Sequence, residues 1–263
     1  MFNPNPIIRT LLRRKKAILK AFLALALVVT AAMAAAPSTM TVFSVATAKR
    51  KLPIYCVETD KKQVSISFDA AWGADDTALL LQILEEKDVR ATFFLCGYWT
   101  EKYPEEVKAI HAAGHDIGNH GDTHAHGAQL NLEQNKRELQ GAHDKIKALL
   151  GIDMNLFRPP FGEYNNVVIE AAEALGYYTI QWDIDSLDWK NYGVEHEIKQ
   201  VLSHKHLGNG SIVLFHNDAD FTPAALPAII DGLKEKGYEI VPISELIIKE
   251  DFHIDHEGRQ IKN

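Results

Sequence analysis

Residues 64–69 read Val64-Ser65-Ile66-Ser67-Phe68-Asp69, a short β-type run that ends in a carboxylate. A helical stretch over 76–87 follows, with leucine and isoleucine residues at helical spacing. The same alternation of an apolar run and a helix repeats through most of the remaining chain. Alternation of this kind predicts a parallel sheet with helices packed against it.

Seven strands alternate with six helices in this pattern. The predicted strands are 64–68, 91–96, 115–118, 156–158, 178–182, 211–215 and 239–243. The predicted helices are 76–87, 104–113, 132–150, 166–175, 194–202 and 223–235. The fold class is therefore α/β, a (β/α) barrel of about seven parallel strands, closed or nearly closed. A doubly wound open sheet is the alternative.

Polar side chains recur where the predicted strands end. They are Asp69, His120, Arg158, Asp185 and His216. The carboxyl ends of parallel strands form the active-site edge of α/β folds. We therefore expect these five residues to meet in one site.

A histidine pair, His120 and His124, lies in the run Gly118-Asn119-His120-Gly121-Asp122-Thr123-His124. Histidines at i and i+4 share one face of a helical turn, where both rings can bind one metal ion. Solvated histidines at the start of a helix are the alternative interpretation of the pair taken alone.

Each of the other candidates has a structural and a chemical interpretation. Asp69 either caps a turn or serves as a general base or metal ligand, and Arg158 either forms a structural ion pair or orients a carboxylate. Asp185 and Asp188 either cap a loop or orient a histidine. His216 is either a structural histidine or a general acid. Taken together, the residues describe one metal-assisted hydrolytic site.

The charge distribution separates the two ends of the chain. The formal charge is −7, yet residues 1–57 carry nine Lys or Arg and no acid, so the remainder carries −16. An acidic body argues against nucleic acid as a partner. Two cysteines, Cys56 and Cys96, are too few for a disulfide scaffold. Two buried free thiols are expected, and a single disulfide between them in an oxidising compartment is the alternative.

The N-terminal segment fits an export signal. Residues 9–20 are basic and residues 21–36 are uncharged and apolar, with Ala32-Met33-Ala34 as a candidate cleavage site. We expect 1–36 to be a signal peptide or membrane anchor, 37–59 a linker, 60–248 the folded domain and 249–263 a polar tail. The domain is then exported, either anchored on the outer face of the membrane or secreted.

The order of these segments resembles the polysaccharide deacetylase family, also known as carbohydrate esterase family 4 or the NodB-homology domain. Five motifs carry the resemblance: Ser67-Phe68-Asp69, Asn119-His120 with His124, Arg158-Pro159-Pro160-Phe161-Gly162, Asp185-Ser186-Leu187-Asp188-Trp189, and Ile212-Val213-Leu214-Phe215-His216. The sequence Ala70-Ala71-Trp72-Gly73, which follows Asp69, resembles the form that the first motif takes in the sporulation-associated subgroup of the family.

The resemblance implies a distorted (β/α) barrel, a divalent metal, often zinc, and removal of N-acetyl groups from amino sugars. It implies that His120 and His124 bind the metal, that Asp69 is the general base and that His216 is the general acid. It further implies that Arg158 orients Asp69, and that Asp185 or Asp188 orients His216.

The chain departs from the family pattern at Ala70, where the first motif usually has a second Asp as the third metal ligand. We expect Asp75, or Asp76 beside it, to reach back and replace that ligand. The alternatives are that Asp69 binds the metal itself or that the site binds metal weakly.

Substrate contacts are assigned to Trp72, Pro160, Phe161 and Trp189, where aromatic rings stack on sugar or simply pack at the barrel mouth. The expected function is metal-dependent deacetylation of peptidoglycan by a monomeric enzyme. The alternative is a weak or inactive deacetylase-fold protein that binds glycan in the cell or spore envelope.

Overall fold

The computed structural model describes Lys20 and residues 50–263. The predicted export segment, apart from Lys20, and residues 37–49 of the predicted linker lie outside the described residues. The described residues 50–263 form one compact unit. No helix within the described residues is long and apolar enough to span a membrane.

The described residues contain eleven strands and eight α-helices. The strands are β1 (Cys56–Val57), β2 (Gln63–Ala70), β3 (Thr92–Leu95), β4 (Asp116–Asn119), β5 (Leu156–Phe157), β6 (Tyr178–Thr179), β7 (Ile184–Asp185), β8 (Ile212–His216), β9 (Glu239–Ile240), β10 (Phe252–Ile254) and β11 (Arg259–Lys262). The helices are α1 (Thr77–Glu86), α2 (Gly97–Lys102), α3 (Pro104–Ala112), α4 (Leu132–Leu150), α5 (Asn166–Ala174), α6 (Val194–Leu202), α7 (Thr222–Glu235) and α8 (Ile243–Leu246).

Seven parallel strands form the main sheet in the order β6-β5-β4-β3-β2-β8-β7, and β9 pairs with the start of β2. Residues 180–183 alone connect β6 at one edge to β7 at the other. A connection of that length spans at most about 18 Å, so the sheet must curl until its edges come close. The predicted α/β barrel of about seven parallel strands is confirmed.

Strand β2 shows how the sequence alternation positions the site. Phe68 is fully buried and stacks on Phe93, with ring centroids 4.8 Å apart. Successive side chains of a strand point to opposite faces, so Asp69 faces away from this aromatic contact. His216 is the register partner of Asp69 on β8, which brings the two polar residues side by side.

The structure differs from two of the predicted strands. The predicted strand 178–182 is divided, because Gln181 N–H donates to Ile54 O and the chain then continues to β7. The last predicted strand, 239–243, is paired only at Glu239–Ile240. Pro242 lacks an N–H to donate, and α8 begins directly after it.

The predicted polar tail, 249–263, is a folded element in the structure. Strands β10 and β11 pair antiparallel, and β11 pairs in parallel with β1, which lies in the predicted linker. Gln260 is fully buried and hydrogen-bonds both the N–H and the carbonyl of Ile248. These contacts attach the tail to the domain, although its composition is polar.

Candidate active site

A cleft of about 320 Å³ opens at the carboxyl ends of the barrel strands. Of the five strand-end residues predicted to meet, four line this cleft, and Arg158 lies buried directly beneath Asp69. The lining residues are Asp69, Ala71, Trp72, His120, His124, Phe161, Gly162, Trp182, Asp185, Trp189, Leu214 and His216.

Asp69 and Arg158 form a buried ion pair. Arg158 Nη1 donates to Asp69 Oδ1 at 2.8 Å, and Arg158 Nη2 donates to Ser67 Oγ at 2.9 Å and to Gln181 O at 3.2 Å. The guanidinium carbon also lies 4.2 Å from the centre of the Phe94 ring. These contacts fix the guanidinium, which in turn fixes the orientation of the carboxylate.

The surroundings of Asp69 keep its carboxyl group ionised. Burial alone would raise the pKa of Asp69, but the charge and hydrogen bond of Arg158, with the charge of His216, outweigh it and lower the pKa below its ordinary value. Asp69 Oδ2 lies 3.6 Å from His120 Nε2 and faces the cleft. A carboxylate in this state can accept a proton from a substrate or water in the cleft.

His216 is held by Asp188. His216 Nδ1 lies 2.8 Å from Asp188 Oδ1, and the backbone N–H of His216 donates to Asp188 Oδ2 at 2.6 Å. Burial lowers the pKa of His216, but the hydrogen bond and charge of Asp188, with Asp69 and Asp185 contributing, raise it above its ordinary value. Of the two aspartates proposed to orient His216, the structure places Asp188 in contact, whereas Asp185 Oδ1 accepts the Leu187 N–H.

A buried hydroxyl and a second carboxyl group lie behind Asp188. Thr222 Oγ1 is 3.2 Å from Asp188 Oδ2 and 3.0 Å from Glu197 Oε1. A hydroxyl has one proton to donate, so one of these carboxyl groups must donate to it. Asp188 already accepts N–H groups from Trp189 and His216, so we assign that proton to Glu197. Burial, reinforced by the charge of Asp188, raises the pKa of Glu197 to about 7.

The histidine pair lies on a loop, and the predicted helical turn is wrong. Gly121 and His124 have φ of 77° and 57°, which a right-handed helix does not allow. Glu138 accepts the backbone N–H groups of Asp122 and Thr123 and so holds the loop against α4. The two rings nevertheless meet, with centroids 5.0 Å apart.

Both histidines are poised to act as ligands. His120 Nδ1 lies 2.8 Å from the carbonyl oxygen of Arg158 and donates to it, which leaves Nε2 directed toward Asp69. Burial lowers the pKa of His120. Burial and the neighbouring ring of His120 lower the pKa of His124 to about 4. Uncharged imidazoles offer a lone pair to a metal, so this donor set fits a divalent cation.

The third member of the cluster is Cys96. Its Sγ and one ring nitrogen from each histidine of the pair lie within 4.8 Å of one another, the single set of three such groups found among the described residues. Asp75, the predicted third ligand, is exposed and belongs neither to this set nor to the cleft lining. Both cysteines are buried and free, as predicted.

Asp76, the neighbour of Asp75, lies near other acidic residues and does not line the cleft either. Burial and the charges of Asp218, Asp75 and Asp220 raise the pKa of Asp76. The acidic groups at the start of α1 therefore lie among one another, outside the cleft lining.

Exposed aromatic rings surround the cleft. Trp72, Phe161 and Trp189 line it with 56%, 52% and 54% of their surface accessible. The Phe161 ring stacks on His126, with centroids 4.1 Å apart and planes 9° from parallel. Pro160, also predicted to contact substrate, is buried and does not line the cleft.

Three residues of this site were missed in the sequence. Thr222 and Glu197 belong to helices that carry no motif, and only their packing against Asp188 reveals them. Cys96 had a detectable signal, since it directly follows β3 and therefore lies at the same edge of the sheet as the predicted site residues.

The chain is similar to named members of one family. The sequence profile described as polysaccharide deacetylase matches residues 57–180. A peptidoglycan-N-acetylglucosamine deacetylase of Bacillus cereus is 34% identical over 196 residues, which cover 73% of this chain and 91% of that protein. The uncharacterized protein YlxY of Bacillus subtilis is 33% identical over 195 residues, which cover 74% of this chain and 60% of YlxY.

Solved structures share the architecture. A CE4 family pseudoenzyme from Bacillus anthracis has a TM-score of 0.72 and 31% identity, with 80% of this chain and 73% of that chain covered. A mutant of the same protein with restored enzymatic activity has a TM-score of 0.72 and 34% identity, with 75% and 71% covered. The similarity thus extends both to a protein named as a deacetylase and to one named as a pseudoenzyme.

Proposed function

The chain belongs to the polysaccharide deacetylase family, and we propose that it is a metal-dependent hydrolase that removes N-acetyl groups from the amino sugars of peptidoglycan. One observation carries this proposal: Asp69, fixed by Arg158, and His216, fixed by Asp188, line the same cleft as the histidine pair. A binding module has no need of a base and an acid, each held by its own buried partner.

The reaction is hydrolysis of an amide. The oxygen of water bonds to the acetyl carbon, the bond between that carbon and the sugar nitrogen breaks, and acetate and a free amine result. Asp69 accepts a proton from the water, and His216 donates a proton to the leaving nitrogen. A divalent metal, when bound by the histidine pair, would supply a Lewis acid for the carbonyl oxygen. We propose zinc as this metal.

The cleft accounts for recognition of a sugar ring. Trp72 and Trp189 present apolar faces to solvent beside the two proton-transfer residues. Sugar rings carry apolar C–H faces that pack on aromatic rings, while their hydroxyl groups remain solvated. The substrate class we propose is therefore a glycan chain that lies across an open cleft.

A second candidate function is glycan binding without turnover. The observation that favours it is Ala70, which removes the carboxylate that the family's first motif usually contributes to the metal. Similarity to a protein named as a pseudoenzyme agrees with this candidate. The same exposed aromatic rings would then hold glycan, and the ion pairs would serve stability alone.

Acetate release distinguishes the two candidates. The purified full chain is incubated with N-acetylated peptidoglycan and zinc, cobalt or no added metal, and acetate is measured. We expect the unaltered chain to release acetate only when metal is present, and we expect Asp69→Asn to abolish this release. Asp75→Asn, which alters an exposed carboxylate outside the cleft, should leave the release unchanged. Retention of glycan without acetate under every condition would instead support the binding function.

We further propose that the protein acts outside the cytoplasm as a monomer, anchored to the membrane or secreted to the cell wall or spore envelope. The basic run 9–20 and the apolar run 21–36 support export. The location of peptidoglycan on the outer side of the membrane agrees with it. Fractionation of cells with an antibody to residues 50–263 tests this location.

A further inference from the structure

We propose that Cys96 is the third protein ligand of the metal, together with His120 and His124, and that it replaces the carboxylate absent at Ala70. This inference rests on the proposed metal-dependent function and names the ligand set that the function requires. Catalytic metals commonly have three protein ligands, and the histidine pair alone supplies two.

The donor atoms are close enough to bind one ion. Cys96 Sγ and a ring nitrogen of each histidine lie within 4.8 Å of one another. Tetrahedral zinc, with bonds of about 2.3 Å to sulfur and about 2.0 Å to nitrogen, places such donors roughly 3.5 Å apart. The separations therefore need to shorten by at most about 1.3 Å, which small side-chain rotations provide.

The sheet register places Cys96 beside the missing ligand. Ala70 pairs with Leu95 on β3, and the backbone N–H of Cys96 donates to Ala70 O at 3.1 Å. Ala70 and Cys96 are both fully buried in the same core cluster. A ligand can thus be supplied from the end of β3 in place of the end of β2.

Cys96 is also attached to the loop that carries the histidine pair. Its Sγ lies 3.3 Å from His120 O and donates to it, and the next residue, Gly97, donates its N–H to Gly121 O at 3.0 Å. A Cβ at Gly97 would collide with the Asp122 carboxylate. The start of α2 and the histidine loop are therefore packed too closely for Cys96 to move away from the pair.

The assignment leaves Asp69 free for proton transfer. Its Oδ1 is held by Arg158, and if Asp69 were the metal ligand the base would be lost. Asp75 is exposed and lies outside the donor set. Cys96 fills the third position without removing any residue from the proposed reaction.

Metal binding converts the Cys96 thiol to a thiolate. The S–H bond breaks, its proton passes to the buffer, and the sulfur forms a bond to the metal in place of its hydrogen bond to His120 O. The thiolate carries the same single negative charge as a carboxylate. Sulfur, however, prefers zinc and cobalt over magnesium and manganese, so the site should select soft divalent metals.

Cobalt spectroscopy of the full chain tests the ligand directly. The apoprotein is titrated with cobalt(II) chloride, and the thiolate-to-cobalt charge-transfer band and the metal content are measured. The only other cysteine of the chain, Cys56, is buried and free, so Cys56→Ser is a matched control. We expect one equivalent of cobalt and the charge-transfer band in the unaltered chain and in Cys56→Ser.

Cys96→Ser and Cys96→Ala should lose the band and bind zinc at least 10-fold more weakly. The double variant Cys96→Ala with Ala70→Asp should bind metal again, but without the charge-transfer band. Restored binding would show that Cys96→Ala loses metal because a ligand is missing and not because the protein misfolds. Two results would overturn the assignment: cobalt bound by the unaltered chain without the charge-transfer band, or a band that persists in Cys96→Ala. In either case, metal-dependent acetate release would leave the proposed function standing. Failure of the unaltered chain to bind any metal would overturn the assignment, and acetate release in the same sample then decides whether hydrolysis stands without a metal.

Discussion

Asp188 contacts His216 twice, through Oδ1 to the imidazole Nδ1 at 2.8 Å and through Oδ2 to the backbone N–H at 2.6 Å. The first contact fixes the ring tautomer with a proton on Nδ1, and the second fixes the position of the residue that bears the ring. Together they direct Nε2 toward the cleft and favour the protonated imidazole that a general acid needs.

Asp188→Asn should lower kcat by about 10²- to 10⁴-fold, because the general acid loses its charge partner. Asp188 raises the pKa of His216, so its loss lowers that pKa. The acid must hold its proton, so the alkaline limb of the rate profile should move to lower pH. Asp185→Asn, which leaves the His216 Nδ1 contact intact, should move the limb less. An unchanged alkaline limb in Asp188→Asn would rule out His216 as the acid.

Arg158→Met should lower the free energy of unfolding by about 3 kcal/mol or more at pH 7, since it leaves the Asp69 carboxylate buried without its partner. The fold lowers the pKa of Asp69. The stability that this ion pair contributes is therefore fully present above the pKa that Asp69 has in the unfolded chain, and it is lost as the pH falls through the lowered pKa of the folded protein. Burial without a partner raises the pKa of Asp69 in the variant, so the difference should shrink as the pH falls through that raised pKa. Denaturant melts across pH measure it, and a constant difference would contradict the assignment.

Glu197→Gln should stabilise the protein at pH 8. Burial raises the pKa of Glu197 from 4.5 to about 7, so between these values the unfolded chain releases a proton that the folded chain keeps. Stability therefore falls as pH rises through this window, by about 3 kcal/mol at most. Glutamine can donate to Thr222 Oγ1 without a charge, so the gain should vanish below about pH 4.5. Equal stability of the two proteins at pH 8 would mean that the fold does not raise the pKa of Glu197.

Trp189→Ala should raise KM for glycan roughly 5- to 10-fold with little change in kcat. The substitution removes an aromatic surface whose stacking on sugar contributes about 1 kcal/mol to binding and that does not contact the reacting atoms. Tyr192→Ala is the matched control, since Tyr192 is also an exposed ring, with 59% of its surface accessible, but does not line the cleft. Steady-state acetate release with chitooligosaccharide or peptidoglycan measures both constants. A similar rise in KM for Tyr192→Ala would point to a general surface effect.

Gln260→Ala should destabilise the fold by about 1–3 kcal/mol, since it leaves the N–H and carbonyl of Ile248 without partners in a buried contact. Glu257→Ala, at an exposed position of the turn between β10 and β11, should change stability by less than about 0.5 kcal/mol. Thermal melts compare the two variants. Equal melting temperatures would show that the β10–β11 hairpin contributes no stability to the barrel.

The site residues that could be predicted from the sequence share one property. Asp69, Arg158 and His216 each lie at the end of a predicted strand, directly after apolar residues. Those strands are parallel, and parallel strands carry their carboxyl ends to the same edge. The sequence therefore predicted their meeting without any knowledge of strand order.

The histidine pair shows where this reasoning fails. Spacing of four residues predicted a helical turn, but Gly121 and His124 adopt positive φ and the loop is held by Glu138 of α4. The two imidazole rings are still in contact, but the contact results from the loop conformation and not from a helical turn. The loop conformation depends on a side chain 14 residues beyond His124, which local pattern does not reveal.

The sequence by itself determined the α/β class, six of the eight described helices and the strand-end positions of Asp69, Arg158 and His216, because hydrophobic periodicity and strand-end position are local properties of the chain. The tertiary structure alone decided that Asp188 contacts His216, that Cys96 rather than Asp75 lies close to the histidine pair, and that β11 pairs with β1. These three outcomes depend on the register and curl of the sheet, which bring together residues far apart in sequence.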